Sequence, residues 1–321
     1  MREMGSLSGL TAQMLRPSPA LREAHFWCIF PEEVDAALLK SYEKFLSPEE
    51  QEDMTKARTE KMQTGRLLAR TLVRTTLARY ACGHVDPASL MFKKNGFGKP
   101  RVIWPKLNTK GELWRPPNLS FNLSHTDSLI ACGVSLDSAI GIDVEEKNRK
   151  LTSNLIKFAR SRFSSKEADW LQSFADSDEQ HQQFMRLWTL KEAYVKAVGK
   201  GISGVPFKDF SFHLKASPVA HELLRKVTQL PVDPQAKSII LDLAGQAFEH
   251  ERPASSWQFL LFQPGPAHVA SICIEDRLHD TAEEKMHYKV QTWKTVPLIS
   301  DQHLSEGAIG LGVSNDCSHQ T

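Results

Sequence analysis

The chain has 321 residues, enough for one large domain or two medium ones, and its 41% hydrophobic and 24% charged residues are those of an ordinary globular protein. A net charge of +2 is too small to imply a nucleic-acid partner by itself, so any basic site must be local. Cys28, Cys82, Cys132, Cys273 and Cys317 are far apart and form no CxxC pair, which predicts reduced thiols in an intracellular compartment rather than a disulfide framework or zinc knuckle.

The first elements follow in chain order. Residues 1–23 lack a continuous apolar stretch and are expected to form a frayed N-terminal extension, with organelle targeting as the alternative. "AHFWCIF" (24–30) predicts a strand, and "PEEVDAALLKSYEKFL" after it carries helical spacing. Ser47, Pro48 and Glu50 make a capping box with proline at the first helical position. The long helical stretch beyond it should end near "ARYACG", where Gly83 suits a left-handed cap.

"SLMFKKNGFGKPRVI" (89–103) reads as a hairpin around Asn95-Gly96. Three strand candidates follow: "LSFNLS", "SLIACGVS" and "AIGIDVE". "SSKE" (164–167) is a second capping box, and four further strand candidates lie between 207 and 275. Helices mixed with a few antiparallel strands in each half predict an α+β fold. Beyond Asp276 periodicity fades, so 277–321 is expected to be a disordered tail. No run of 18 apolar residues exists, and no membrane span is expected.

Several groups carry chemistry, each with a plain structural alternative. In "GIDVEE" (141–146), Asp143 and Glu145 share one strand face. Paired carboxylates resist joint ionisation unless a cation sits between them, although a solvated strand end is the simpler account. In "FMRLWTLKEAYVKAVGKG" (184–201), Phe184, Leu187, Trp188, Val195 and Val198 form an apolar face with Lys191 near its middle and Glu192 and Lys196 at its edge. A surface Glu192–Lys196 pair and a snorkelling Lys191 would explain this. A helix packed on the Asp143 strand would instead make Glu192 a third metal carboxylate, with Lys191 and Lys196 facing phosphates. His125, after "FNLS", is either a phosphate contact or a loop histidine. Arg66, Arg70 and Arg74 recur every four residues as a basic strip, but no aromatic interleaving accompanies them, and no nucleic-acid partner is expected.

The order "GFGKP", "FNLSH", "GIDVE", "WTLKEAYVKA" resembles the 4′-phosphopantetheinyl transferases of the larger, Sfp-like type, with the W-x-x-K-E-x-x-x-K spacing at Trp188, Lys191, Glu192 and Lys196. The resemblance covers roughly residues 24–275. It implies a monomeric pseudo-dimer of two similar α+β halves (24–139 and 140–276) with the active site in the cleft between them. It also implies holo-acyl-carrier-protein synthase activity: Mg²⁺-dependent transfer of the phosphopantetheine arm of coenzyme A to a serine of an apo acyl- or peptidyl-carrier protein, releasing adenosine 3′,5′-bisphosphate. Asp143, Glu145 and Glu192 would hold the metal. Lys196, helped by Lys191, would neutralise phosphate charge, and Glu192 or a metal-bound water would be the base. Arg66, Lys94, Gly98, Lys99 and Pro100, with Asn122, Leu123, Ser124 and His125, would hold coenzyme A. The cytoplasm is the default compartment, with mitochondrion or plastid as alternatives. The stretch from Ile103 to Leu119 is longer than the resemblance leads one to expect.

Overall fold

In chain order the elements are β1 (Glu23–Ile29), α1 (Ala36–Tyr42), α2 (Pro48–Thr55), α3 (Glu60–Tyr80), β2 (Met91–Lys94), β3 (Pro100–Ile103), β4 (Leu119–His125) and β5 (Ile130–Leu136). Then come β6 (Ile140–Glu146), α4 (Leu155–Arg162), α5 (Ser165–Gln172), α6 (Ser177–Val198), α7 (Gly201–Gly204), β7 (Phe210–Leu214), β8 (Ile239–Leu243), β9 (Trp257–Phe262), β10 (His268–Glu275), β11 (Tyr288–Val296) and β12 (Ser300–Ile309). The computed structural model describes residues 19–151, 154–214, 239–243, 257–276 and 288–309. None of the helices among them is long and apolar enough to cross a membrane. The chain divides into two units, Met1–Asp137 with Gln291–Ser305, and Ser138–Val290 with Glu306–Thr321.

The first unit is built on a sheet of order β12-β11-β1-β5-β4, with β5 antiparallel to both β1 and β4. Helix α3 packs Leu68, Leu72 and Leu77 against Trp27, Phe121 and Val134 from this sheet. Both expected capping boxes form: Ser47 with Glu50 on α2, and Ser164 with Glu167 on α5. Helix α3 ends at Ala81, and the left-handed turn beyond it is shared by Cys82 (φ 48°) and Gly83 (φ 79°).

Two expectations are corrected here. The polar stretch 277–321 is not a tail throughout, because β11 and β12 extend the first unit's sheet from β1. Trp293 of β11 stacks on Trp27 at 5.3 Å, and Asp301 of β12 binds the fully buried Arg79 at 3.0 Å. Strand β11 does alternate over its first five residues, with Tyr288, Val290 and Thr292 buried and Lys289 exposed between them. Residues 277–287 and 310–321 lie outside the described residues, as do 1–18. The second correction concerns the arginine strip. Arg74 is 2% exposed, binds Glu50 at 2.7 Å, and donates to the carbonyls of Pro87 and Leu90 at 2.9 and 2.8 Å. It is a core anchor of α3, so the recurrence every four residues is no surface strip.

The second unit stacks α6 on a sheet of order β6-β10-β9. Phe184, Leu187, Leu190 and Tyr194 of α6 are buried with Phe163, Phe207, Phe210 and Phe259. Gly141, Asp143 and Glu145 share the β6 face turned towards α6. A Cβ at Gly141 would lie 2.0 Å from the Ala193 carbonyl oxygen and 2.3 Å from the Ala197 nitrogen, so strand and helix touch backbone to backbone there. On the neighbouring strand, Ser271 pairs opposite Asp143, and its hydroxyl donates to the Thr189 carbonyl at 2.7 Å. Gly141→Ala should force this contact apart and destabilise the chain by at least about 2 kcal/mol. Urea unfolding measures the change, and an unaltered midpoint would show that α6 does not need the close approach.

Candidate active site

Close contact at Gly141 dictates what stands two and four residues along β6. Asp143, 3% exposed, faces α6 and accepts a bond from Lys196 Nζ at 2.6 Å. Glu145 is bound by Arg149 and by the side chain of Trp188. Its carboxyl is pushed up, first by burial and then by the charge of Asp143, with Arg149 opposing. Glu192 lies half-buried on α6, and burial pushes its carboxyl up to about 7. Lys196 pulls that value down, while the charges of Asp143 and Glu145 raise it. The three carboxylates therefore sense one another across the β6–α6 contact, with two cations compensating them.

Among the described residues, no three His, Cys, Asp or Glu side chains converge to hold an ion. Lys196 holds Asp143, and Arg149 holds Glu145. Chemically the donors still suit a hard divalent ion, being oxygen ligands whose shared negative charge is already costly.

Lys191 departs from expectation. Its ammonium is fully buried and donates to the carbonyls of Phe207 and Phe210, both at 2.7 Å, and to Glu167 at 2.9 Å. All three donor positions are used, and the Phe210 ring centroid lies 4.1 Å away. This lysine pins α6 to α5 and β7 and has no access to a phosphate. Glu167, the N3 residue of the α5 capping box, thus also serves as the counter-ion of Lys191.

Most of the remaining expected residues lie in the first unit around a cavity of about 1330 Å³. Arg66, Lys94, Gly98, Pro100, Asn122, Leu123, Ser124 and His125 all line it. Lys99 does not; its backbone N–H is tied to Asn95 Oδ1 at 2.9 Å within the hairpin turn. The left-handed residue of that turn is Gly98 (φ 91°), not Gly96, so the connection is a five-residue loop closed by the Asn95 side chain. Lys61 and Arg70 also line the cavity and were not singled out for it in the sequence. Arg66 and Arg70 lie within 4.0 Å of Asp53 carboxylate oxygens, and Lys61 binds Asp127 at 2.9 Å. Arg149 was missed in the sequence as well, because it lies past the strand end, where neither strand nor helix periodicity links it to Glu145.

Residues 139–273 match the 4′-phosphopantetheinyl transferase superfamily, a stretch that contains Asp143, Glu145, Glu192 and Lys196. The chain is 31% identical over 180 residues to the 4′-phosphopantetheinyl transferase Gsp of Aneurinibacillus migulanus, covering 56% of this chain and 67% of that protein. It is 30% identical over 172 residues to the 4′-phosphopantetheinyl transferase Sfp of Bacillus subtilis strain 168, covering 53% of this chain and 67% of that one. This chain belongs to the 4′-phosphopantetheinyl transferase superfamily. A 27% match to the rat L-aminoadipate-semialdehyde dehydrogenase-phosphopantetheinyl transferase covers 53% of this chain and 52% of that protein. The superfamily match lies within the second unit, so the first unit's cavity stands on its own geometry.

The structural role of Lys191 in this transferase is testable. Lys191→Met leaves Glu167 buried without its cation, a loss of about 3–5 kcal/mol. Burial pulls the Lys191 ammonium down to about 8 from its ordinary 10.5, with Glu167 opposing. The unfolded chain therefore binds more protons between those values, and the native state gains stability from this group as pH rises through that window. Urea unfolding should show a larger deficit for Lys191→Met at pH 9.5 than at pH 7. A deficit that shrinks would mean the native ammonium is not held below its ordinary value.

Proposed function

We propose that this chain transfers the phosphopantetheine arm of coenzyme A to a serine hydroxyl of an apo acyl- or peptidyl-carrier protein, releasing adenosine 3′,5′-bisphosphate. The observation that carries this reading is the grouping of Asp143, Glu145, Glu192 and Lys196 across the β6–α6 contact, within the stretch that matches the family. Coenzyme A carries a diphosphate and a third phosphate, and a site that accepts it needs both cations and a proton acceptor. In this reading the first unit's cavity holds the adenosine end through Arg66, Lys94 and His125. The second unit's carboxylates and Lys196 act on the coenzyme's diphosphate, the chain working as a monomer.

Asp143, Glu145 and Glu192 are the residues that would hold Mg²⁺. When bound, the ion would neutralise charge on the diphosphate oxygens. Lys196, released from Asp143, would contribute its ammonium to the same charge. A serine hydroxyl needs a base, and a carboxylate poised near neutrality suits that role. In the transfer the serine oxygen bonds to the β-phosphorus, and its proton passes to Glu192. The diphosphate bridge breaks, and its electron pair leaves with adenosine 3′,5′-bisphosphate.

Incubation of the protein with apo-carrier domains, coenzyme A and Mg²⁺ should add the mass of one phosphopantetheine to at least one carrier. Glu192→Gln and Lys196→Ala should each lower turnover by about 10² or more while leaving the far-ultraviolet circular dichroism unchanged. A folded Glu192→Gln protein with near-normal turnover would remove Glu192 from the role of base. A panel of carriers with no mass gain would overturn the transferase reading.

A further inference from the structure

The β2–β3 hairpin and the stretch after it concentrate charge. Residues 91–115 hold seven lysines and arginines against one acid, Glu112, while the whole chain carries only +2. In β2–β3, Lys93 stands directly opposite Arg101, and Met91 directly opposite Ile103. Residues two apart on a strand share a face, so these four form one surface of the hairpin. Its other surface is used for packing: Phe92 meets Phe121 edge-on at 5.7 Å, and Lys94, Gly98 and Pro100 wall the cavity.

The outward surface is unsatisfied in a specific way. Like charges directly opposite on paired strands repel, yet neither Lys93 nor Arg101 makes an ion pair among the described residues. Lys106, Lys110 and Arg115 make none either. Several other basic side chains of this unit are paired, as Lys61 is with Asp127 and Arg74 with Glu50. Exposed apolar groups occur in the same stretch of chain. Met91 is 61% exposed, Phe97 at the hairpin loop 56%, and Leu113, bridged to Leu107, 85%. The segment carrying Leu113 is nonetheless firmly held. Asn108 Oδ1 accepts from the Lys110 and Glu112 backbones at 2.9 Å, and Trp114 stacks on His84 at 5.2 Å. An ordered surface of unpaired cations and exposed apolar groups fits a partner with carboxylates around an apolar patch.

We infer that the outward face of the β2–β3 hairpin, centred on Lys93 and Arg101, docks an acidic surface of the carrier protein. This inference rests on the transferase reading. That reading favours a protein occupant over a lipid surface, because the hairpin's opposite face walls the cavity proposed for coenzyme A and the group's acceptor is a protein. The docking surface sets KM for the carrier and takes no part in the chemistry.

Lys93→Glu tests it cleanly, since it replaces cross-strand repulsion with attraction to Arg101 and leaves the hairpin folded; the Lys93→Ala/Arg101→Ala double variant is the second arm. With a negatively charged apo-carrier domain, both should raise the carrier KM about tenfold at low salt, leaving kcat and the coenzyme A KM unchanged. The wild-type carrier KM should climb with salt, and that of Lys93→Glu should climb less. Anisotropy of a labelled apo-carrier, which needs no transfer, reads docking separately. Carrier binding lost in Lys93→Glu supports the docking face even if the wild type transfers nothing, an outcome that would sink only the transferase reading. An unchanged carrier KM and unchanged binding in both variants overturn the docking face. So does binding to phosphatidylserine vesicles that Lys93→Glu abolishes while carrier binding stays intact.

Discussion

Strand β6 and helix α6 approach so closely at Gly141 that no side chain fits between them. Everything chemical in the second unit follows from that contact. Strand periodicity then turns Asp143 and Glu145 towards the helix, and helix periodicity brings Glu192 and Lys196 to the same seam. Four ionisable groups are thereby held at the margin of an apolar core, where charge is expensive and compensation must be local. Asp143 is paired with Lys196 through Oδ1 and Glu145 with Arg149, while Glu192 is left with its carboxyl near neutrality.

One helix thus carries two lysines with opposite fates. Lys196 stays at the seam, partly exposed and bound to a carboxylate that a ligand can compete for. Lys191, five residues earlier, is buried in an aromatic cage and fixed by Glu167 and two carbonyls. Burying an ammonium is tolerable only when each of its protons finds an acceptor, and here each does. The result is an anchor that keeps α6 in place while the seam residues remain available. In the first unit Arg79 is buried in the same manner, held by Asp301 and lying 4.6 Å from the Trp27 ring, and so ties the β11–β12 ribbon to α3 and β1.

Motifs whose physics is local were legible in advance. Two capping boxes, the hairpin at 91–103, the strand carrying Asp143 and the long helix carrying Glu192 all depend on neighbours within a few residues. The β11–β12 ribbon was missed because its stabilising contacts reach 200 residues or more back along the chain, from Asp301 to Arg79 and from Pro297 to Tyr42. Lys191 was misplaced because a wheel projection shows which face a residue occupies but not whether that face holds a carboxylate. Arg74 was misread for the same reason, its partners being Glu50 and carbonyls from 87–90.

The sequence by itself determined the α+β character, the family motifs and the pairing of Asp143 with Glu145 on one strand face, since these follow from period, caps and spacing. Only the tertiary structure decided which charged groups are structural and which stand at the site. That choice depends on burial and on partners brought from distant segments, and the free energy of a charge is set by its surroundings rather than by its place in the chain.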